Sequence, residues 1–231
     1  LLEMRDGERI ETVRLPYSDR LSVCVSSQAG CAMACQFCAT GMGGFRRNLS
    51  VAEIIGQILL VKREGLGDRN FAYKWGKTPT HVVFMGMGEP LLNLGNVLPT
   101  IGLMHDEMGI PMRNITVSTV GILAGIEKLA AQKWQLTLAI SLHAPTDELR
   151  HRLIPTSTKT RVADIIKAAK DYVSQTGRRV TFEYVVLGGV NDSDEDALEL
   201  ARLLNKYGLR RVKINLIPHN SAEPLEYRPS S

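Results

Sequence analysis

The 231-residue chain has no cysteine outside residues 24–38, no apolar run long enough to cross a membrane, and no low-complexity stretch or inter-domain linker. Each absence excludes something. Without about 20 consecutive apolar residues, no membrane-spanning helix is expected. Without a basic-then-apolar opening, no secretory leader is expected. Cys31, Cys35 and Cys38 stand too close in sequence for disulfides among them to close stabilising loops. With 44% hydrophobic residues, the chain can bury a core without such staples. A reduced, soluble, cytoplasmic protein is therefore expected, and in that setting clustered thiols point to metal binding or redox work. The formal charge of +4 permits a nucleic-acid partner without requiring one. The pairs Arg46–Arg47, Arg178–Arg179 and Arg210–Arg211 read as solvated surface. Position 1 is Leu, so a fragment or a processed form is expected.

What is present is an alternation of strand-like and helix-like runs from residue 21 onward. The strands are "LSVCVSS" (21–27), "HVVFMGM" (81–87), "NITVSTV" (114–120), "QLTLAISLH" (135–143), "RVTFEYVVL" (179–187) and "RVKINLI" (211–217). Between them, "SVAEIIGQILLVKREG" spaces Ser50 and Glu53 as a capping box and places Gly65 as a C-terminal cap. "DEDALELARLLNKYG" repeats its apolar residues on one face and stops at Gly208. Repeated strand–helix units imply an α/β fold, a parallel sheet wrapped by helices. Residues 21–231 read as one domain, and residues 1–20 as a hairpin extension turning at Asp6–Gly7. Periodicity leaves an open partial barrel and a doubly wound sheet both standing. Polar or glycine-rich text follows nearly every strand: the cysteines, "GMGEP", "ST", "SLH" and "IPHN". In parallel α/β folds ligands bind at the carboxyl ends of strands, so one active site is expected there.

Cys31-x-x-x-Cys35-x-x-Cys38 offers three thiolates from one loop. A structural zinc site needs four closed ligands, and Cys24, the one candidate for the fourth, lies in a strand with no histidine nearby to substitute. Cys35-Gln-Phe-Cys38 could be a thioredoxin-like pair, but it is not expected at a helix start. Three thiolates suit a [4Fe-4S] cluster with one iron left open for a ligand. Zinc and redox readings stay open on spacing alone.

The motif, with Phe37 as its aromatic, resembles the signature of radical S-adenosylmethionine enzymes. The longer text "CVSSQAGCAMACQFCATGMGGFRRNLS" resembles the RlmN/Cfr family, which methylates adenine rings in RNA. "ETVRLP", "VVFMGMGEPLLN", "ITVSTVG", "SLHAP", "IPTS", "VTFEYVVLGGVND" and "NLIPHN" follow in the family's order, so the likeness covers essentially the whole chain. The resemblance implies a partial (β/α)6 barrel. It implies that Cys31, Cys35 and Cys38 hold the cluster, whose open iron chelates the amino and carboxylate groups of S-adenosylmethionine. It also implies that Gly88 and Glu89 approach the amino group, with Ser118, Ser141, Leu142, His143 and Asn220 as further contacts. Taken singly, each has a plainer reading: "GMGEP" as an incomplete dinucleotide loop, His143 as a core or strand-end histidine, Ser118 as a strand hydroxyl, Asn220 as a turn residue after Pro218.

In the family's chemistry one S-adenosylmethionine methylates a protein cysteine. A second yields a 5′-deoxyadenosyl radical that takes hydrogen from that methyl, and the carbon radical adds to adenine. Cys24 matches the cysteine that resolves the adduct by forming a disulfide, and Glu11 matches the proton acceptor. The methyl-carrying cysteine belongs beyond "NLIPHN", where this chain has none, and the family's N-terminal RNA-binding domain is also missing. A truncated core, unable to complete methyl transfer, is expected. Implied partners are 23S ribosomal RNA, transfer RNA and a flavodoxin-like electron donor, with a monomer acting at adenine C2. Alternatives are a C8-directed Cfr-type enzyme, a radical enzyme acting on glycyl or peptide substrates, and a non-catalytic iron–sulfur RNA binder.

Overall fold

Strands form where β-branched and aromatic residues gather, and all six expected ones are present in the computed structural model. It describes residues 1–67, 78–210, 212–220 and 226–230. Two compact units result, Leu1–Cys31 with Phe45–Ser118 and Ala32–Gly44 with Thr119–Ser231.

In the first unit, β1 (Leu2–Glu3) and β2 (Arg9–Ile10) pair antiparallel about the expected turn at Asp6–Gly7. β3 (Val13–Pro16) runs antiparallel to β4 (Leu21–Cys24), Val13 lying opposite Cys24. β5 (Gln28–Gly30) and β6 (Phe45–Asn48) make a short antiparallel ribbon. β7 (His81–Phe84) then pairs parallel with β4, and β8 (Ile115–Thr119) parallel with β7. Leu21, Val23, Val82, Ile115 and Val117 are wholly buried, as parallel strands covered on both faces must be.

The helix α1 (Val51–Gly67) begins at the predicted capping box: Ser50 N donates to Glu53 Oε2 at 2.9 Å, and Glu53 N donates to Ser50 Oγ at 3.3 Å. Its end corrects the sequence reading, because the helix runs through Gly65 to Gly67. Glycine costs a helix about 1 kcal/mol against alanine but does not oblige it to stop. Ile54 and Ile58 of α1 are wholly buried, as are Val97, Ile101 and Met104 of α2 (Leu94–Asp106). Each such side chain contributes about 1.5–3 kcal/mol. Arg47 corrects the reading of its pair as solvated surface, because Glu53 (2.8 Å) and Asp6 both bond it and tie the first hairpin to α1.

The second unit continues with α3 (Leu123–Ala131), β9 (Thr137–Ser141), α4 (Asp147–Leu153), α5 (Val162–Thr176), β10 (Val180–Val186), α6 (Asp194–Lys206) and β11 (Val212–Pro218). β10 pairs parallel with both β9 and β11, Glu183 lying opposite Ser141 and Asn215. α6 ends as predicted. Gly208 takes φ +63°, and Gly208 N and Leu209 N bond back to Asn205 O (2.9 Å) and Leu204 O (3.1 Å), the paired bonds of a Schellman cap. Arg211 lies outside the described residues. Among the described residues no helix is long and apolar enough to cross a membrane.

Candidate active site

In the first unit the segments after β4 and β7 are fastened to each other. Gly86 N donates to Val25 O (3.1 Å), Ser27 N to Met87 O (2.9 Å), Met87 N to Ser26 Oγ (2.9 Å) and Glu89 N to Gln28 Oε1 (2.9 Å). The approach is close enough to demand glycine at position 88. It holds φ +99°, and a Cβ there would stand 2.5 Å from Gln28 Cβ and 2.8 Å from its backbone N. Glu89, 2% exposed, uses Oε1 to accept from Leu91 N at 2.9 Å, capping the short 3-10 turn Pro90–Asn93.

Two residues that sequence reasoning missed support this arrangement. Gln57 Oε1 accepts from Ser26 N (2.8 Å) and Thr12 Oγ1 (2.7 Å), while its Nε2 donates to Ser26 O (2.9 Å). Asn93 Nδ2 donates to Ser27 O and Leu49 O, both at 2.8 Å. The available signal was a glutamine on the apolar stripe of α1, three residues after Ile54.

Glu11 and Cys24, expected as proton acceptor and resolving cysteine, both lie in this unit. Cys24 ends β4 and is buried, and Glu11 is exposed two residues before Val13, its opposite in β3. Burial first, and the Glu11 charge second, push the Cys24 thiol up to about 11 against a hydrogen bond from the Met85 backbone. It is therefore protonated at neutral pH, and a thiol must lose its proton before it attacks. Ser118 is half-buried near the end of β8, next to Thr119, whose Oγ1 accepts from Gly121 N at 3.1 Å.

The second unit contains Cys35, Cys38, Ser141, Leu142, His143 and Asn220. The cysteine loop is docked by Gln36 N donating to Leu153 O (2.9 Å) and Thr156 Oγ1 donating to Met33 O (2.8 Å). Cys35 and Phe37 pack on Ala144, Leu153, Ile154, Val185 and Leu187. The ring of Phe37 meets His143 edge-on, centroids 4.8 Å apart. His143 Nδ1 accepts from Val185 N at 3.0 Å, which assigns the ring proton to Nε2. Burial, then the nearby Arg150 charge, lower its pKa to about 3, so it is neutral at working pH. Ala34 (φ +51°) and His143 (φ +60°) both hold left-handed backbone, a strain of order 1 kcal/mol that tends to collect at functional sites.

Asn191, unnoticed in the sequence, fixes the strand end. Its Nδ2 donates to His143 O (2.8 Å) and Val185 O (2.7 Å), and its Oδ1 accepts from Leu187 N (2.7 Å). Asn220 is exposed just beyond β11 and is not drawn into this network. A cleft of about 580 Å³ opens beside Cys35, lined also by Gln36, Gly41, Met42, Val190 and Tyr227. One exclusion needs correcting: Cys38 is the N-cap of a one-turn helix, Ala39–Met42, so the Cys35/Cys38 pair does stand at a helix start. So short a turn sums little dipole, and the Cys38 side chain makes no capping bond.

Cys31 closes its segment of the first unit, Cys35 and Cys38 belong to the second, and all three are half-buried. None of the four cysteines forms a disulfide. Among the described residues no three His, Cys, Asp or Glu side chains converge to hold a metal ion. A single zinc needs its thiolates at about 2.3 Å from one centre. A [4Fe-4S] cube takes each thiolate on a different iron and asks for wider spacing. The donor set is cysteine alone, without histidine or carboxylate, and that chemistry suits a cube held by thiolates.

Comparison with known proteins follows the same line. A model of the radical SAM superfamily matches residues 25–201. A probable dual-specificity RNA methyltransferase RlmN from Thermosynechococcus vestitus is 52% identical over 231 residues, covering 100% of this chain and 65% of that protein. Its counterpart from Synechococcus elongatus is 51% identical over 237 residues, covering 100% and 62%. The crystal structure of a radical SAM methyltransferase from Sphaerobacter thermophilus matches with TM-score 0.91 at 43% identity, over 99% of this chain and 65% of that one. The likeness carries the fold class, an α/β partial barrel. The chain spans a little under two thirds of the length of these relatives.

Proposed function

The chain belongs to the radical SAM superfamily, and from that premise we propose that it is the core of an RNA methyltransferase acting at C2 of adenine. Its substrates are large-subunit ribosomal RNA and transfer RNA in the cytoplasm, with a flavodoxin-like donor supplying electrons. The observation that carries the reading is identity of 52% along the entire chain to a protein named a probable dual-specificity RNA methyltransferase. When bound, a [4Fe-4S] cluster and S-adenosylmethionine supply a 5′-deoxyadenosyl radical.

The chain's own residues bind and orient. Cys31, Cys35 and Cys38 hold the cluster through thiolates. Glu89 offers a buried carboxylate to the ammonium of the cofactor, a charge-assisted bond stronger than a neutral one. Gly88, lacking a Cβ, lets the chain pass against Gln28, where Glu89 N bonds Gln28 Oε1. Ser118, Ser141, Leu142 and His143, at or beside the ends of β8 and β9, supply further cofactor contacts, His143 as a neutral ring. Asn220 contributes from its exposed position beyond β11. Glu11, in the extension formed by residues 1–20, accepts the proton lost by the adenine ring. Cys24 is held protonated until it is needed to release the adduct through a disulfide. A thiolate there at all times would compete for iron, so burial protects the division of labour among the four cysteines.

Anaerobic reconstitution with iron and sulfide tests the reading. The wild-type chain is expected to bind four irons and, with dithionite, to convert S-adenosylmethionine to 5′-deoxyadenosine. Cys35→Ala is expected to lose the cluster and the product together, whereas Cys24→Ala is expected to keep both. Zinc in place of iron, or no 5′-deoxyadenosine from the iron-loaded chain, would overturn it. Mass spectrometry of RNA treated with the longer protein separates C2 from C8 methylation.

A further inference from the structure

Arg150 of α4 is wholly buried. Its Nη2 donates to the carbonyls of Val120 and Ser141, the latter at 3.4 Å, but its Nε and Nη1 have no hydrogen-bond partner among the described residues. None of the ion pairs among the described residues includes it. Of the two carboxylates on its own helix, Asp147 and Glu148, the former spends Oδ1 on Val162 N at 2.6 Å, and neither forms an ion pair with Arg150 among the described residues. A guanidinium stays charged in proteins, and enclosing an ion without a counter-ion costs several kcal/mol. Such a charge is retained where an anion is to be held against it.

The anion available is in the cysteine loop. That loop docks on the last turn of α4, Gln36 N bonding Leu153 O at 2.9 Å, and Cys35 packs on Leu153 and Ile154. We propose that Arg150, buried on the helix against which the cysteine loop docks, is the counter-charge of the cluster and favours its reduced state. The inference rests on the cluster reading above. Reduction adds one electron from a low-potential donor, with no bond made or broken and no proton moved. Arg150 offsets the added negative charge in a site of low dielectric, where a fixed cation counts for more than in water. It acts through the cluster and its ligand, as a positioning residue, without touching substrate.

The test uses the 231-residue chain, reconstituted anaerobically as wild type, Arg150→Lys, Arg150→Gln and Arg150→Met. Iron and sulfide content are measured, and the midpoint potential is read by titration followed by electron paramagnetic resonance. The neutral variants are expected to be at least tenfold harder to reduce at a given potential, a fall of about 59 mV for one electron. Arg150→Lys is expected to stay within about threefold of wild type, about 30 mV on the same scale. Either folded neutral variant decides the matter, with circular dichroism as the check of folding. A wild-type potential in a folded neutral variant overturns the proposal, as does failure of both to fold, which would make the role one of packing. If the wild type takes up no iron, the cluster reading itself fails. If it loads normally and the neutral variants match it, the proposal for Arg150 falls alone.

Discussion

Gln57 in the first unit and Arg150 in the second are both buried polar side chains, and the two units treat them in opposite ways. Gln57 spends its amide on Thr12 and on both backbone groups of Ser26, while Arg150 keeps two nitrogens without partners. The contrast extends beyond the pair. Among the described residues, the buried side-chain atoms lacking a partner in the first unit reduce to Ser27 Oγ. In the second unit they are Arg150 Nε and Nη1, His151 Nε2, Arg178 Nε and His219 Nε2. Burying an unpaired polar atom costs about 1–3 kcal/mol, which pairing avoids. The first unit is therefore finished as it stands, a scaffold that presents Gly88, Glu89 and Cys24. The second carries buried polar atoms that have no partner among the described residues.

The comparison can be broken most sharply at Gln57. Gln57→Leu keeps the size of the side chain but strands Ser26 N, Ser26 O and the Thr12 hydroxyl. A loss of about 3 kcal/mol is expected, read from urea unfolding of the chain. A loss below about 1 kcal/mol would mean that the first unit is not held by its polar network.

A somewhat smaller effect is expected from Cys24. Its thiol ordinarily ionises at 9.0 and in the folded chain near 11, so between those values the folded state binds more protons than the unfolded one. Stability from this group is complete below pH 9 and is lost as pH rises toward 11, by about 2–3 kcal/mol at most. Unfolding curves at pH 8 and pH 11 are expected to show that difference in wild type beyond whatever Cys24→Ala shows. Equal slopes in the two would remove Cys24 from the account.

The smallest change sharpens the other side. His219 is 5% exposed, its Nε2 is unpartnered, and its ring meets Tyr227 edge-on at 6.4 Å. His219→Phe keeps the aromatic packing and removes an orphan, so stability is expected to move by less than about 1 kcal/mol. A larger loss would show that the second unit also depends on its polar atoms in the state described.

Much of this was legible in the chain. The capping box of Ser50 and Glu53, the stop at Gly208, the turn at Asp6–Gly7 and the six strands all depend on residues within a few positions of one another. Gly65 misled because a glycine near the end of a pattern permits a cap without requiring one. The candidate site's three thiols were readable because they stand within eight residues. Gln57, Asn191 and Arg150 were not. Gln57 reaches 31 positions back to Ser26, Asn191 reaches 48 positions to His143, and Arg150 reaches 30 positions to Val120. Nothing in a local pattern tells a buried glutamine, asparagine or arginine from an exposed one.

The sequence by itself determined the elements, their order and the identity of the thiols, because hydrophobic period, capping and ligand spacing are short-range properties of a chain. Only the tertiary structure decided that Cys24 is a protonated thiol near Glu11, that His143 is a neutral ring, and that Arg150 is a buried cation. Those are matters of dielectric and of hydrogen-bond partners, and both are set by residues distant in the chain that folding brings near.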